Sequence, residues 1–332
     1  MQVAVFSSCE YDRPGLQQAL ADIGHQARFC VDALAPDTVS FAEGCQAVCI
    51  FVNDRADVEM LEHLSAAGIR LLALRCAGTD HVDLPAARRL GIAVTRVGDY
   101  SPHSVAEHAL LLALALARQL PQAAARTRAF NFALDGLVGF ELHARTVGII
   151  GTGRIGTAFA GILRGFGCRV LGYDIAPNAG FDACGGHSVS LAELQARADV
   201  ISLHCALNAQ TRHLVDAAFL ANCRPGLLLV NTSRGAVVDT RAVTDALQSG
   251  RLGAYGADVY EREAGLFFGD HSRDAVRDPL LSELLAQPRA LLTGHQGFLT
   301  DRALAQIAAS VAESLEDFAA GRALRHRVPD SG

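Results

Sequence analysis

The sequence contains no long hydrophobic run, no recognisable secretory signal and no strongly basic stretch. Its longest apolar segment, Ala109–Ala117, has nine residues, whereas a membrane-spanning helix needs about 20, so we interpret it as a core or interface helix. Val3–Phe6 predicts a first strand rather than a signal peptide. The formal net charge is −6, and the basic cluster Arg322–Arg327 predicts a solvated surface. We therefore expect neither a membrane nor a nucleic acid as a partner.

Paired cysteine motifs are also missing. The nine cysteines lack the C-x-x-C spacing, and Cys45 and Cys49 have no neighbouring histidine that would complete a metal site. Apolar runs such as Ala47–Val52 predict buried thiols. We therefore expect reduced cysteines, no metal and a cytoplasmic location, because disulfides are rare in that compartment. His103 and His108 do not change the metal prediction, since a separation of five residues turns them about 140° apart on a helix.

The length of 332 residues and the apolar content of 50% predict two domains. Strand-like and helix-like segments alternate along the chain, which is typical of parallel sheets covered by helices. The strands predicted for the first domain are Val3–Ser7, Ala47–Val52, Leu71–Cys76 and Ile92–Val97. Those predicted for the second domain are Val147–Ile150, Arg169–Tyr173, Val200–Cys205, Leu227–Asn231, Gly256–Val259 and Ala290–Thr293.

A helix that begins near Pro102 and runs to about Leu120 is expected to connect the two domains. Proline suits the first helical position, and Ser104 and Glu107 have the spacing of a capping box. The apolar segment within this helix could pack against a second copy of the chain, so we expect a homo-oligomer, either a dimer or a tetramer. A final amphipathic helix, Asp301–Ala320, is expected to return to the first domain.

The predicted fold class is α/β, with two doubly wound parallel-sheet domains. Residues 1–100 and 299–332 form a flavodoxin-like substrate, or catalytic, domain. Residues 101–298 form a Rossmann NAD-binding domain that is inserted in the first one. The basis of this assignment is the six-strand plan of the second domain, which has a phosphate-binding loop after its first strand.

The glycine motif of the second domain predicts a dinucleotide site. Gly151, Gly153 and Gly156 have the G-x-G-x-x-G spacing after a β-branched run. The first glycine allows a tight turn, the second lets the backbone approach a pyrophosphate, and the third lets the following helix pack closely on the strand. Asp174 follows the next strand, where it could bind the ribose hydroxyls and repel a 2′-phosphate, which favours NAD over NADP. The alternative is a glycine-rich turn without a ligand.

Polar residues follow the last three strands of the second domain, at the edge where open α/β sheets bind their ligands. A guanidinium can hold the carboxylate of a 2-oxo acid, and a protonated imidazole can donate a proton as hydride arrives. A carboxylate can fix the imidazole tautomer and favour its charged form. Arg234, His295 and Glu263 are the candidates for these roles. Each could instead be a surface or structural residue, and Asp258 could tune the imidazole or the nicotinamide amide, or cap a turn.

The full set of motifs resembles the D-isomer-specific 2-hydroxyacid dehydrogenase family over essentially the whole chain. The motifs that carry the resemblance are Gly151–Gly156, Asn231–Gly235, Asp258–Glu261, Glu263 and Thr293–His295. Three further segments closely resemble the bacterial fermentative D-lactate dehydrogenases within that family: Ala47–Asn53, Leu74–Gly78 and Thr293–Thr300. The combination is specific, although its glycine motif alone is not.

That resemblance implies a role for each matching residue. The catalytic trio would be Arg234, Glu263 and His295. The substrate would meet the backbone amides of Arg75, Cys76, Ala77 and Gly78, the rings of Tyr100 and Phe298, and the side chains of Arg234 and His295. The coenzyme would meet the glycine turn and Val105, Arg154, Ile155, Asp174, Cys205, Thr232 and Asp258. For Val105, Cys205 and Phe298, simple core packing is the alternative.

The implied activity is the reversible, NAD-dependent reduction of pyruvate to D-lactate, a fermentation step, with His295 as the proton donor. Tyr100 and Phe298 should leave room for little more than a methyl group, which suits pyruvate. One alternative is a glyoxylate or hydroxypyruvate reductase of the same family. A second, from a different class, is an NAD(H)-sensing module that acts like a co-repressor.

The sequence departs from the pattern of the family at three places. Gly294 and Ala206 stand where proline is frequent, and Gly98 and Asp99 stand where Pro-Ala is usual. None of these changes removes a reacting group. The changes at Gly98 and Asp99 leave the substrate affinity open.

Overall fold

The structure is a computed structural model that describes residues 1–98, 100–176, 178–274 and 278–329. The chain divides into two compact units. The first comprises Met1–Ser101 together with the chain from Leu299 onward, and the second comprises Pro102–Phe298. The second unit is therefore an insertion in the first. Asp99, one of the departures from the family pattern, lies outside the described residues.

The first unit contains a five-stranded parallel sheet with the order β2-β1-β3-β4-β5. Its strands are β1 (Gln2–Val5), β2 (Gln26–Phe29), β3 (Ala47–Ile50), β4 (Leu71–Leu74) and β5 (Ala93–Thr95). Every residue of β3 and β4 is buried, as expected for central strands covered on both faces. The edge strand β2 was not predicted, because its residues are only half-buried or exposed and lack an apolar run.

Four helices cover this sheet: α1 (Arg13–Asp22), α2 (Val58–Ala66), α3 (Leu84–Arg89) and, from the far end of the chain, α12 (Asp301–Ala319). Aspartate side chains begin two of them, since Asp57 accepts a hydrogen bond from the N–H of Met60 and Asp83 accepts one from Ala86. Helix α12 packs against α1 and β4. The last amphipathic helix therefore belongs to the first unit, as the sequence predicted.

The second unit contains a seven-stranded parallel sheet with the order β12-β11-β10-β9-β6-β7-β8. Its strands are β6 (Thr146–Ile150), β7 (Arg169–Tyr173), β8 (His187–Ser188), β9 (Val200–Leu203), β10 (Leu227–Asn231), β11 (Leu252–Ala257) and β12 (Ala290–Leu292). The sequence predicted six of these strands and missed β8, which has two exposed residues. It also placed β11 about four residues too late, so that Asp258 and Val259 follow the strand instead of ending it.

The helices of the second unit are α4 (Pro102–Ala117), α5 (Leu120–Arg128), α6 (Arg154–Gly165), α7 (Ala179–Ala183), α8 (Leu191–Arg197), α9 (Ala217–Asn222), α10 (Thr240–Gln248) and α11 (Pro279–Leu285). The helix predicted to run to about Leu120 ends at Ala117, and a second helix, α5, begins at Leu120 after Gln119, which adopts a left-handed φ of 52°. The predicted capping box is wrong as well. Ser104 lies inside α4, and its hydroxyl donates to the carbonyl of Gly297 at 2.7 Å.

Helix α4 belongs to the core of the second unit. Ala109, Leu112 and Leu116 are buried, and the helix packs against α6, β10 and β11. Leu111 alone among the large apolar residues of this helix is mainly exposed, at 54%. The apolar segment of the sequence is therefore explained by burial within one chain. Among the described residues, no helix is both long and apolar enough to cross a membrane.

Two expectations about side chains can be compared with the structure. All nine cysteines are free thiols, and four of them are buried. The basic cluster near the end of the chain is more than a solvated surface, because Arg322 and Arg325 both donate hydrogen bonds to Asp317 on α12. These bonds lower the pKa of Asp317, with Arg325 as the largest contributor.

Candidate active site

The carboxyl ends of the parallel strands in the second unit meet at one edge of the sheet, and most of the candidate residues lie there. Following the order of the sheet, this edge carries His295 after β12, Asp258 and Glu263 after β11, Thr232 and Arg234 after β10, Cys205 after β9, Gly151 after β6 and Asp174 after β7. The three candidate reacting groups thus follow adjacent strands at one end of the edge. The glycine turn and Asp174 lie toward the other end.

The glycine turn between β6 and α6 has the geometry of a phosphate-binding loop. Gly151 has a φ of 93°, and a Cβ there would overlap the backbone of His204 and Cys205. A Cβ at Gly156 would overlap the carbonyl oxygen of Gly151, so the helix lies directly on the turn. A Cβ at Gly153 would meet nothing within 4 Å, and this residue is the N-cap of α6. Open space at a helix N-terminus fits a diphosphate.

Asp174 is held beside this turn. Its Oδ2 accepts hydrogen bonds from the N–H of Thr152 at 2.7 Å and from the Thr152 hydroxyl at 3.3 Å. The residue is exposed and directly follows β7. A carboxylate fixed in this position can accept hydrogen bonds from ribose hydroxyls, and its charge repels a 2′-phosphate.

The remaining candidates for coenzyme binding lie on α4, on α6 and along the same edge. Thr232 is 8% exposed, and its hydroxyl has no hydrogen-bond partner within the described part of the chain, as expected for a group that awaits a polar ligand. Burial raises the pKa of the Cys205 thiol to about 11, so this thiol is neutral. Arg154 and Ile155 begin α6, and Val105 is buried in α4.

The loop after β10 presents Arg234 and is organised by its neighbours. Asn231, which is fully buried, accepts hydrogen bonds from the N–H and hydroxyl of Ser233 and donates one to the carbonyl of Arg234. A Cβ at Gly235 would overlap the backbone of Tyr260, so this loop packs directly on the segment that leads to Glu263. The Arg234 side chain is half-buried. The sequence did not predict the roles of Asn231 and Gly235, although a glycine after the arginine was a signal of close packing.

His295 and Glu263 form a hydrogen-bonded pair. The Nδ1 atom of His295 lies 3.0 Å from Oε1 of Glu263, and the side chains are 14% and 22% exposed. The other carboxylate oxygen, Oε2, accepts the N–H of Tyr260 at 3.1 Å, which fixes the orientation of the carboxylate. Because Nδ1 faces the carboxylate, Nε2 is the ring nitrogen that can exchange a proton with a ligand.

Asp258 shapes the loop that carries His295. The residue is 2% exposed. Its carboxylate accepts hydrogen bonds from the Thr293 hydroxyl (2.6 Å) and from the N–H groups of Gln296 (2.8 Å) and Gly297 (2.7 Å), and its carbonyl accepts the N–H of His295 (2.7 Å). Burial alone would raise the pKa of Asp258, but its hydrogen bonds outweigh burial and lower it. An ionised carboxylate thus anchors the loop, and a direct contact with the coenzyme stays a prediction.

Arg75, a candidate substrate ligand in the first unit, is enclosed by its neighbours. Its guanidinium is 1% exposed, pairs with Asp12, and stacks over the ring of Phe51 at 5.2 Å. Its backbone N–H donates to the carbonyl of Ile50 at 2.9 Å. The backbone N–H and the Nη1 and Nη2 groups of Arg75 therefore bind within the first unit, and a role for its backbone in substrate binding stays a prediction.

The other substrate candidates in the first unit stay predictions. Cys76 is buried, and its Sγ lies 3.3 Å from the carbonyl of Gly78. Ala77 is half-buried, and its carbonyl accepts a hydrogen bond from Arg96 at 3.2 Å. Tyr100 is half-buried and directly precedes Ser101 and α4. Cys76 and Ala77 thus belong to a well-packed turn after β4, and Tyr100 is an aromatic residue just before α4.

Phe298 and Gly294 lie in and after the loop that carries His295. Phe298 is 7% exposed, so the alternative of core packing retains its support. Gly294 is exposed, and a Cβ there would meet nothing within 4 Å, so sterics do not explain the glycine that stands in place of the frequent proline. Among the described residues, no group of three His, Cys, Asp or Glu side chains is arranged to hold a metal ion.

Comparisons with known proteins identify relatives of this chain. A family model for the NAD-binding domain of D-isomer specific 2-hydroxyacid dehydrogenases matches residues 110–297. A D-lactate dehydrogenase of Escherichia coli is 43% identical over 97% of this chain and 98% of its own length. The apo structure of D-lactate dehydrogenase from Escherichia coli has a TM-score of 0.89 with 41% identity, covering 99% of this chain and 100% of that one. The pyruvate reductase of Chlamydomonas reinhardtii has a TM-score of 0.92 with 41% identity, covering 98% of each chain.

Proposed function

Because the chain belongs to the D-isomer-specific 2-hydroxyacid dehydrogenase family and uses NAD, we propose that it catalyses the reversible reduction of pyruvate to D-lactate. Its two-domain parallel α/β fold is that of the family, as the sequence predicted. The observation that supports the chemistry best is the pair formed by His295 and Glu263 at one end of the sheet edge, with Arg234 on the neighbouring loop.

Each of the three side chains has a distinct task in the proposed reaction. When bound, the coenzyme supplies or accepts the hydride at the 2-carbon. Arg234 holds the substrate carboxylate through two parallel hydrogen bonds. His295 donates a proton from Nε2 to the carbonyl oxygen, and in the reverse direction Nε2 accepts it from the hydroxyl. Glu263 holds Nδ1, which fixes the orientation of the ring.

The names of two relatives favour pyruvate as the substrate, and the sequence prediction for Tyr100 and Phe298 points to the same substrate. The relative in Escherichia coli is named a D-lactate dehydrogenase, and the Chlamydomonas structure is described as a pyruvate reductase. The rings of Tyr100 and Phe298 were predicted to leave room for little more than a methyl group. The backbone amides of Cys76–Gly78, as a second group of ligands for the carboxylate, stay a prediction.

The proposal is tested by the rates of NADH oxidation with pyruvate, glyoxylate, hydroxypyruvate and oxaloacetate. Pyruvate should give the highest kcat/KM. The His295→Ala variant should lower kcat by about 10²- to 10⁴-fold, the range of general acid catalysis, while the Kd for NADH changes little. His187→Ala, at an exposed position in β8, is the matched control.

Three results would contradict the proposal. A higher kcat/KM for glyoxylate or hydroxypyruvate would assign the enzyme to a different substrate. No turnover with any 2-oxo acid, together with tight NADH binding, would favour a coenzyme-sensing module. An equal loss of kcat and NADH affinity in His295→Ala would remove the histidine from the chemistry.

We also propose that the chain forms a homo-oligomer, through a surface other than the buried face of α4. Phe130, Phe132, Leu134 and Val138 are 70% to 89% exposed, an unusual density of exposed apolar side chains. Hydrogen bonds from Arg126 to two carbonyls order this segment in advance of any partner. A second copy of the chain is the partner we propose. Light scattering should report an oligomer, and Phe130→Glu with Phe132→Glu should give monomers.

A cytoplasmic location is a further part of the proposal. All nine cysteines are free, including five that are not fully buried. Free thiols persist in a reducing compartment, where disulfides are rare. Imaging of a fluorescently labelled chain in its own cell would test the location.

A further inference from the structure

The loop Thr293–Gly297, which carries His295, is held from behind by buried polar side chains that the proposed chemistry does not use. Ser104 and His108 lie one turn apart on α4, and they are 6% and 9% exposed. Helix α4 also packs against β12, the strand that leads into this loop. Buried polar groups are costly unless they have partners, so the partners of these two side chains show what they stabilise.

The two side chains hold the two ends of the loop. The hydroxyl of Ser104 donates to the carbonyl of Gly297 at 2.7 Å. The Nε2 atom of His108 lies 2.9 Å from the Thr293 hydroxyl and 3.3 Å from Oδ1 of Asp258. In the sequence, His295 lies midway between Thr293 and Gly297, the two residues that these side chains bind. One helix thus fixes the backbone on both sides of the proposed proton donor.

The direction of these hydrogen bonds follows from the carboxylate. Ionised Asp258 can only accept, so the Thr293 hydroxyl donates its proton to Oδ1, at 2.6 Å. The oxygen of that hydroxyl is then available to accept a hydrogen bond from His108. The Nε2 atom of His108 therefore carries a proton. Hydrogen bonds thus run from His108 to Thr293 and from Thr293 to Asp258, which also accepts the N–H groups of Gln296 and Gly297 in the loop.

The loop needs this support because its conformation is strained. His295 has a φ of 55°, in the left-handed region that non-glycine residues rarely adopt. Such a residue persists only where its surroundings hold it in place. A Cβ at Gly297 would lie 3.0 Å from Oδ2 of Asp258 and 3.6 Å from the Cβ of His108, so the loop also packs tightly on the anchoring groups.

We infer that His108 is a positioning residue for the proton donor: from α4 it holds Thr293 and Asp258, and together with Ser104 it keeps His295 in the left-handed conformation that faces Glu263. The inference rests on the proposed role of His295. Without this anchor the loop would relax toward ordinary backbone angles, and the imidazole would leave its partner. Misplacement of a catalytic group by about 1 Å can cost roughly 10²-fold in rate.

The test compares two substitutions of the same residue. His108→Leu removes the ring nitrogen, whereas His108→Gln supplies a side-chain N–H donor at about the position of Nε2. We expect His108→Leu to lower kcat with pyruvate by about 10- to 100-fold, with the Kd for NADH within about twofold. His108→Gln should recover most of the lost kcat. Thr244→Val is the control, because its buried hydroxyl bonds only within α10, to Thr240.

The outcomes separate the inference from the proposed function. A folded His108→Leu variant with the kcat of the wild type, or a His108→Gln variant no better than His108→Leu, would overturn the inference while His295→Ala remained inactive. Activity that survives in His295→Ala would overturn the proposed function itself. If His108→Leu does not fold, Ser104→Ala decides: we expect a fall in kcat of several-fold at an unchanged Kd for NADH, and an unchanged kcat would overturn the inference.

Discussion

The two units brace the carboxyl edges of their sheets in different ways. In the first unit, the buried group is a cation. Arg75 pairs with Asp12 and donates to the carbonyl of Ser7, so one guanidinium connects the loops after β1 and β4. In the second unit, the buried group is an anion, and Asp258 binds mainly to backbone N–H groups and a hydroxyl. In the first unit, the buried Arg75 is held by protein groups on several sides. In the second unit, Arg234 and His295 stay half-exposed at the edge of the sheet.

This difference shows how to distinguish a structural arginine from a reactive one. Both Arg75 and Arg234 follow strands at the carboxyl edge of a sheet, and the sequence predicted the backbone amide of Arg75 and the guanidinium of Arg234 as ligands of the substrate. Arg75 has a carboxylate and two carbonyls around it and is 1% exposed. Arg234 lies on a half-buried loop position, where Asn231 bonds to the backbone of the loop and the guanidinium donates to the carbonyl of Ser233 at 2.8 Å.

The largest expected effect is on activity, from Arg234→Met. Two charge-assisted hydrogen bonds to the substrate would be lost, each worth about 1.5–3 kcal/mol, which corresponds to a fall in kcat/KM of about 10²- to 10⁴-fold. The melting temperature should change little. Steady-state kinetics and calorimetry give both quantities. A large loss of stability with modest kinetic change would make Arg234 a second structural arginine and would remove the contrast.

The same substitution in the first unit should act on stability instead. Arg75→Met leaves Asp12 buried without its cation, which should lower the free energy of unfolding by about 3–5 kcal/mol. Hydrogen exchange in β1, β3 and β4 measures this locally, since a chain with two units need not unfold in one step. Adding Asp12→Asn should restore part of the loss, because it removes the unpaired charge. Unchanged exchange in β1 and β4 would show that the ion pair is dispensable.

The smallest expected effect concerns Asp317, which has a lowered pKa through Arg325 and Arg322. A lowered pKa in the folded state means that ionised Asp317 stabilises the first unit above its ordinary pKa of 3.8, and that this stabilisation is lost as the pH falls through the lowered value. Asp317→Asn should therefore lower the melting temperature at neutral pH and converge with the wild type in acid. A difference that does not depend on pH would contradict the charge argument.

Local patterns predicted much of the fold. The bounds of β7 and β10 agree with their predicted ranges, because apolar periodicity and the flanking turns are properties of neighbouring residues. The edge strands β2 and β8 were missed, since solvent faces them and no apolar run marks them. The end of α4 at Ala117 was predicted to within three residues, whereas the helix α5 that follows Gln119 was not predicted.

The site was predicted only in part. Arg234, Glu263 and His295 were identified by their positions after strands and by the resemblance, and the structure brings His295 and Glu263 together. The partners of His108 could not be predicted, because Thr293 lies 185 residues further along the chain. Ser104 was assigned to a cap for the same reason, since a cap needs only neighbours whereas its actual partner, Gly297, is distant.

The insertion of one unit in the other has a consequence for synthesis on the ribosome. Helix α12, which packs on α1 and β4, follows the whole of Pro102–Phe298. At usual translation rates of roughly 5–20 residues per second, helix α12 is synthesised on the order of ten seconds or more after the strands of the first unit. The second unit has all of its own strands before then. In nascent chains, hydrogen exchange should therefore show protection of the inserted unit before protection of β1 and β4.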